Sequence, residues 1–449
     1  MHTHYFSRLG FILAVAGSAI GLGNIWKFPY MTGTMGGGAF VLVYLFTVLI
    51  VGISLLVAEM LIGNLTSKDT VSAFEELAPK NSKKIWKLGG FMAFSGLLIL
   101  TFYSVVIGWI FYYLFLAFGN SFYSDIKASE NLFVGFLGND IWTQLFAHLL
   151  AVIVTFSIVY KGVKQGIEKI NLILMPLLIV IFLLLLGYSI SLPSFGKAFH
   201  FLFDYDFSKI NSETLLMAVG HSFFTLSIGM GAIMTYSASA SKKTKIFRDA
   251  IIIALLDTTI ALVAGLTIFS FLFNAIDEPA KGPGLLFIAL PAIFAQMDFV
   301  GQFISILFFI AVSFAAITSA ISIAEPSISI TTNRYKISRL KAVVIFAIIV
   351  YLVGALALLS NATEFSKALT FGSKNLFDWL DYFTTAILLP VGGIIIAIFV
   401  GYIIPKNVTR KALDNSMNDT IFKFWLFSVR YIAPIGVAIV LLNESGLLG

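Results

Sequence analysis

Apolar residues along this chain fall in long blocks. Uncharged runs recur at 9–26, 28–58, 88–124, 141–160, 170–196, 214–241, 258–276, 299–324, 342–363 and 382–405. A bilayer span needs about 20 predominantly apolar residues. The blocks predict eleven membrane helices, near 9–31, 38–65, 88–118, 142–160, 168–191, 213–240, 247–274, 299–332, 340–360, 376–404 and 421–443. The first is not read as a cleaved signal peptide, since Lys27-Phe28-Pro29 ends it with no small-residue cleavage site. Residues 282–297, GPGLLFIALPAIFAQM, are apolar but short and broken by Pro291. Read as a span, they would push the basic cluster at 334–341 outside. They are expected instead to form two short helices folded over the outer face as a lid.

Two spans interrupt their own apolar pattern. AGSAIGLGNIWKFP at 16–29 places glycines at 17, 21 and 23, and FFTLSIGMGAIMTY at 223–236 places them at 229 and 231. Each glycine costs a helix roughly 1 kcal/mol relative to alanine. The segments are spans one and six, the same ordinal place in two sets of five, and matched interruptions of this kind point to a transporter binding site, the LeuT fold being the known example. Unwinding frees N–H and C=O groups that lipid cannot satisfy. Half-helix amino termini suit a carboxylate, and freed carbonyls suit a small cation. Close helix packing through small residues is the competing explanation.

Composition agrees with a membrane bundle. The chain is 59% hydrophobic and 12% charged, with a mean hydropathy of +0.96, far from the soluble range. The net charge of +6 is a topology signal and no sign of a nucleic-acid partner. With the amino terminus inside, 20 basic residues fall in inside segments and 6 in outside loops, as the positive-inside rule requires. The absence of cysteine excludes disulfides, thiol catalysis and thiolate metal sites. The five histidines, at 2, 4, 148, 200 and 221, are scattered, which argues against a membrane enzyme. Asp257, an acid inside span seven, costs about 2.5–3.5 kcal/mol to insert and is a functional candidate. Ala315, Thr318 and Ser319 share one helix face by their spacing; the hydroxyls could alternatively bond back to their own helix.

At these residues the chain resembles a known family. RLGFILAVAGSAIGLGNIWKFPY with GGGAF at 36–40 looks like the first-helix signature of the neurotransmitter:sodium symporters. FFTLSIGMGAIMTY resembles the family's sixth helix and AAITSAISIAEP at 315–326 its eighth. LFDWLDYFTTAILLP at 376–390 is similar to the tenth helix of the bacterial branch, as is the count of eleven spans. The resemblance covers nearly the whole chain. It implies an all-α integral membrane protein of LeuT-type fold, one transporter domain over 1–449. Five-helix inverted repeats at 9–191 and 213–404, with helices one and six unwound, would be followed by an eleventh helix at 421–443. It further implies sodium-coupled uptake of an amino acid by alternating access in the bacterial inner membrane, with the amino terminus cytoplasmic. Two sodium ions, no organic cofactor, and a monomer or weak homodimer complete the expectation. A sensor or a channel on the same fold is the alternative.

The resemblance also assigns residues. One sodium site would use the carbonyls of Gly17, Ile20 and Ala315 with the hydroxyls of Thr318 and Ser319. The other would use the Ala19 carbonyl, Asn24, Thr225 and Asp257. Oxygen-only ligands suit a hard cation. The substrate pocket would comprise Ser18, Ala19, Leu22, Gly23, Ile99, Tyr103, Phe224, Thr225, Ser227, Met230, Ser319 and Ile323, with Tyr103 donating to the substrate carboxylate and Phe224 as outer cover. Lys27 and Asp381 would close over it as an outer gate. Glu59, Glu325 and Arg430 read as buried structural charges. Several positions depart from the family pattern. Lys27 replaces an arginine, His221 stands where glutamine is usual, and Ala261 lacks the hydroxyl of chloride-dependent members. The family's inner gate positions fall on His2 and Asn333, so that ion pair is absent or replaced. Gly166 and Pro176, ten apart in span five, resemble a family pattern that would let that helix unwind towards Thr318 and Ser319, or merely kink it.

Overall fold

The computed structural model describes residues 5–276 and 284–445. Apart from a two-residue hairpin pairing Thr370–Phe371 with Lys374–Asn375, its regular structure is helical. Nine described helices are long and apolar enough to cross a bilayer. The other two expected spans are the interrupted ones. Arg8–Ala19 and Gly23–Thr34 pass the same test as a pair bent by 49°, while Ser212–Thr225 and Ala232–Ala238 are separate short pieces. The eleven expected spans are thus all present as helices.

Local chemistry sets the helix starts. The side chains of Ser7, Asp140, Asn211, Asn375 and Asn418 accept from backbone N–H groups in the first turn of the helices they precede, satisfying amides that have no intrahelical partner. Spans three and eight, Phe94–Phe118 and Asp298–Asn333, are mostly buried and pack together at the centre with span one. Spans five and nine, Lys169–Ser189 and Arg339–Leu359, present Leu177, Val180, Leu183, Leu352 and Leu356 outward, as lipid-facing surfaces do.

The expectation of two short helices at 282–297 needs correction. Leu285–Ala295 is one short helix, beginning with a wide turn over Leu285–Ala289. Pro291 lies where that wide turn passes into the regular part, and the helix continues through it. Residues 282 and 283 lie outside the described range. Phe287 anchors this helix on the outer half of span three, with ring centroids 6.0 Å from Trp109 and 5.0 Å from Tyr113.

Candidate functional site

Both breaks are held open by specific partners. Helix one ends at Ala19 because Ile20 turns extended, at φ −73° and ψ 93°. The Gly21 amide then donates to Asn24 Oδ1 at 3.3 Å. In span six, Ser227, Gly229 and Gly231 all have positive φ, at 54°, 90° and 77°, a region that glycine enters without penalty. Ser227 Oγ donates to the Ser18 carbonyl at 2.7 Å, tying one break to the other. Glu59 accepts from the Gly229 and Met234 amides at 3.1 and 3.4 Å, which gives this buried acid the structural role expected of it. Close backbone contact completes the support. A Cβ on Gly392 of span ten would stand 2.3 Å from the Gly229 carbonyl oxygen, and one on Gly63 2.1 Å from that of Met234.

Asn24, Thr225 and Asp257, three of the four residues expected at the first sodium site, converge. Asn24 Nδ2 donates to Asp257 Oδ1 at 2.8 Å and to its carbonyl at 2.9 Å. Thr225 Oγ1 lies 3.1 Å from each Asp257 carboxylate oxygen and 3.2 Å from Asn24 Oδ1. All three are buried. Ala19, the fourth, is buried at the end of the helix one segment that leads into the break. Tyr44 lies beside this cluster without a well-formed hydrogen bond of its own. Its place in an unbroken apolar run gave no signal. His221 is not the hydrogen-bonded histidine that a buried neutral ring suggests. Neither ring nitrogen has a hydrogen-bond partner among the described residues, and the ring sits among Phe28, Phe40 and Tyr44 at centroid distances of 6.0, 6.3 and 5.2 Å.

At the second expected sodium site, Ser319 Oγ reaches across to span one, 3.4 Å from the Gly17 carbonyl and 3.3 Å from that of Ser18. Thr318 Oγ1 bonds back to the Phe314 and Ala315 carbonyls, both at 3.0 Å, as the alternative reading of its spacing allowed. Ile20, with no exposed surface, supplies the extended backbone opposite.

Between these clusters lies a small chamber of about 30 Å³, lined by Ser18, Ala19, Gly21, Leu22, Gly23, Ile99, Tyr103, Phe224, Ser227, Met230, Ser319 and Ile323. Eleven of the twelve expected pocket residues are present; Thr225 belongs to the Asp257 cluster alone. Gly21 was not singled out for the pocket. A Cβ there would lie 2.3 Å from Ser319 Oγ and 3.4 Å from the Tyr103 hydroxyl. That hydroxyl is buried beside Ser319 and Leu22, without a well-formed hydrogen bond among the described residues. Leu22, Tyr103 and Phe224 also border an outer cavity of about 350 Å³ with Lys27, Asp378 and Asp381.

Lys27 Nζ sits 4.3 Å from the Phe224 ring centroid and makes no ion pair with Asp381 among the described residues, although both line the outer cavity. A compact ammonium lacks the planar fork that grips a carboxylate and finds the ring face instead. On the cytoplasmic side His2 lies outside the described residues, and Asn333 Nδ2 turns back to Ser329 Oγ at 3.2 Å. Closure there comes from Arg8 on Asp249 at 2.8 Å and from Ser7, whose N and Oγ donate to Glu168 Oε1 at 2.9 and 2.6 Å. Glu325 pairs with Arg339 at 3.1 and 2.5 Å, and Arg430 Nε donates to the Gly401 carbonyl at 2.6 Å. At the inner surface Arg334 lies 2.8 Å from Glu75 and holds its carboxyl below the usual carboxylate range.

A helical membrane bundle in which two interrupted spans meet at an enclosed chamber, beneath a vestibule and above cytoplasmic ion pairs, is a secondary transporter. Comparison with known proteins narrows the class. The profile of the Sodium:neurotransmitter symporter family matches residues 2–127 and 130–445. A sodium-dependent transporter of Bacillus subtilis is 35% identical over 446 residues, covering 98% of this chain and 97% of the relative. One from Methanocaldococcus jannaschii is 32% identical, covering 98% and 90%. The crystal structure of MhsT in complex with L-phenylalanine superposes with a TM-score of 0.89 at 39% identity, covering 98% of this chain and 99% of MhsT. The chain belongs to the sodium:neurotransmitter symporter family. It has the LeuT fold and is a sodium-dependent transporter, not an enzyme.

Proposed function

We propose that this protein imports a hydrophobic or aromatic L-amino acid together with two sodium ions, by alternating access and without chloride. The central chamber carries the reading. Ile99, Phe224, Met230 and Ile323 give it an apolar wall, and none of its lining residues is charged. The Tyr103 hydroxyl and the broken backbone at Leu22 and Gly23 form a polar edge that suits an α-carboxylate. MhsT, with phenylalanine bound, supports the substrate class. At about 30 Å³ the chamber holds a water or two and no amino acid, so binding requires its walls, Phe224 first, to move apart.

One sodium ion would be held by the Ala19 carbonyl, Asn24, Thr225, Asp257 and the substrate carboxylate. The other would be held by Gly17, Ile20, Ala315, Thr318 and Ser319. Asp257 supplies a fixed negative charge, which removes the need for a mobile anion. Once sodium has left, a proton on that carboxylate would balance the charge, making proton counter-transport a corollary. Lys27 and Asp381 would approach each other only when the outer side closes.

Radiolabelled uptake into proteoliposomes tests the reading. A sodium gradient should drive accumulation, with leucine, phenylalanine, tyrosine or tryptophan competing better than lysine, glutamate or dopamine. Replacing chloride by gluconate should leave the rate unchanged. Tighter binding of a charged amino acid or of dopamine overturns the substrate class.

A further inference from the structure

A cavity of about 200 Å³ lies at the cytoplasmic end of span one, apart from the transport chamber. Phe6, Arg8 and Phe11 line one side. Lys243, Thr244 and Lys245, from the turn that joins spans six and seven, line the other. Three of its lining residues are cations and none is an acid. Arg8 uses Nη2 on Asp249 at 2.8 Å, and its Nη1 makes no hydrogen bond among the described residues. Asp249 is fully buried and does not line the cavity. Lys243 and Lys245 are exposed and make no ion pair among the described residues.

These cations stand where the backbone disfavours them. The amino end of a helix carries partial positive charge, which attracts anions and repels cations. Arg8 is the first residue of Arg8–Ala19, and Lys245 immediately precedes Ile246–Ala275, the helix of span seven. Two helix amino ends and three cationic side chains therefore meet at one cavity. Ser7 caps span one by accepting from the Gly10 amide, but no side chain caps span seven. The positive-inside rule explains basic residues on this side of the membrane, and it does not ask them to line a cavity. A guanidinium, two ammonium groups and the Thr244 hydroxyl are the donors that grip a phosphate group. The volume is several times the roughly 30 Å³ that a water occupies in the liquid, which leaves room for a tetrahedral oxyanion. The cavity also straddles a seam of the sealed inner side. The Phe6 amide donates across that seam to the Ser239 carbonyl at 3.0 Å, beside the Arg8–Asp249 pair.

We propose that this cavity binds a phosphate group from the cytoplasmic side, as free phosphate or as a phospholipid headgroup. The bound group bridges Arg8 to Lys243 and Lys245, holds the inner side shut and slows the carrier. The slowing rests on the alternating-access reading; the binding does not. A ligand that prefers the closed form shifts the population by its difference in affinity for the two forms.

Lys243→Gln with Lys245→Gln removes two of the three charges on an exposed turn and touches neither ion site nor chamber. Thermal unfolding of the purified full-length protein in detergent reads binding. Potassium phosphate is compared with potassium gluconate at equal ionic strength, and phosphatidylglycerol with phosphatidylcholine in mixed micelles. One or both should raise the unfolding temperature of the parent by about 2 °C or more and leave the double variant unmoved. Proteoliposomes read the slowing, with phosphate trapped in phosphatidylcholine vesicles as one arm and phosphatidylglycerol vesicles without phosphate as the other. Sodium-driven phenylalanine uptake should fall about threefold in at least one arm, relative to gluconate-filled phosphatidylcholine vesicles. A response in the first arm alone identifies a soluble phosphate, and in the second alone a headgroup. Lys243→Arg with Lys245→Arg keeps the charge and should keep the response. Equal parent rates in every vesicle, or an equal response from the glutamine variant, overturns the proposal. A rise in unfolding temperature confined to the parent, with no sodium-driven uptake of any amino acid, supports the site and refutes the transport reading instead.

Discussion

In the mechanism proposed here, one side chain, Asp257, would set the ionic requirements of the whole carrier. It is fully buried, bonded to Asn24 and Thr225, and makes no ion pair among the described residues. An uncompensated charge in such a place costs several kcal/mol, which is why we propose sodium as its partner. Ala261, one turn further along the same span, is buried and offers no hydroxyl. Asp257→Asn with Ala261→Ser should therefore create chloride stimulation of about fivefold in uptake, an effect of about 1 kcal/mol, measured against gluconate; equal rates in both anions would mean the negative charge is supplied elsewhere. At this scale the sequence was informative where a residue was chemically out of place. An acid in a span and serines beside glycines stood out, and the structure gathers them. Tyr44 and His221 were legible only as types. Their significance lies in what surrounds them, an aromatic cage, and no local pattern records that.

The interrupted helices were readable because a broken span must declare itself in glycine, and both breaks fall where the glycines do. What supports them was not readable. The break in span six rests on Gly392, whose own sequence, PVGGIII, looks like any small-residue helix contact. Adding a methyl there would drive it to 2.3 Å from the Gly229 carbonyl. Gly392→Ala should cost about 1–3 kcal/mol of stability through overpacking and reduce uptake severely. Gly135→Ala, with nothing within 4 Å of the added carbon, should do neither. Thermal unfolding in detergent, together with transport assays, checks both. At element scale the outer segment formed one helix where two were expected: Pro291 reads as a breaker, but the wide turn before it lets the helix continue through.

Across the whole molecule, the carrier is sealed below by a few polar contacts. Arg8 is half exposed and its partner Asp249 fully buried, so Arg8→Ala should tilt the population towards the inward-open form by about 1 kcal/mol, roughly fivefold. Because the chain has no cysteine, a single Ala240→Cys, placed at a position 1% exposed near the inner end of span six, reports this directly. Its labelling rate in sodium should rise about fivefold with Arg8→Ala, and an unchanged rate would assign the seal to Ser7 and Glu168. On the outer side, Leu22, Tyr103 and Phe224 serve at once as the floor of the vestibule and the roof of the chamber. Ligand length thereby becomes a sorting rule. A molecule short enough for the Phe224 ring to swing down over it travels as cargo. One whose far end props that ring open stays wedged in the doorway, a cork made from the same chemistry as the substrate.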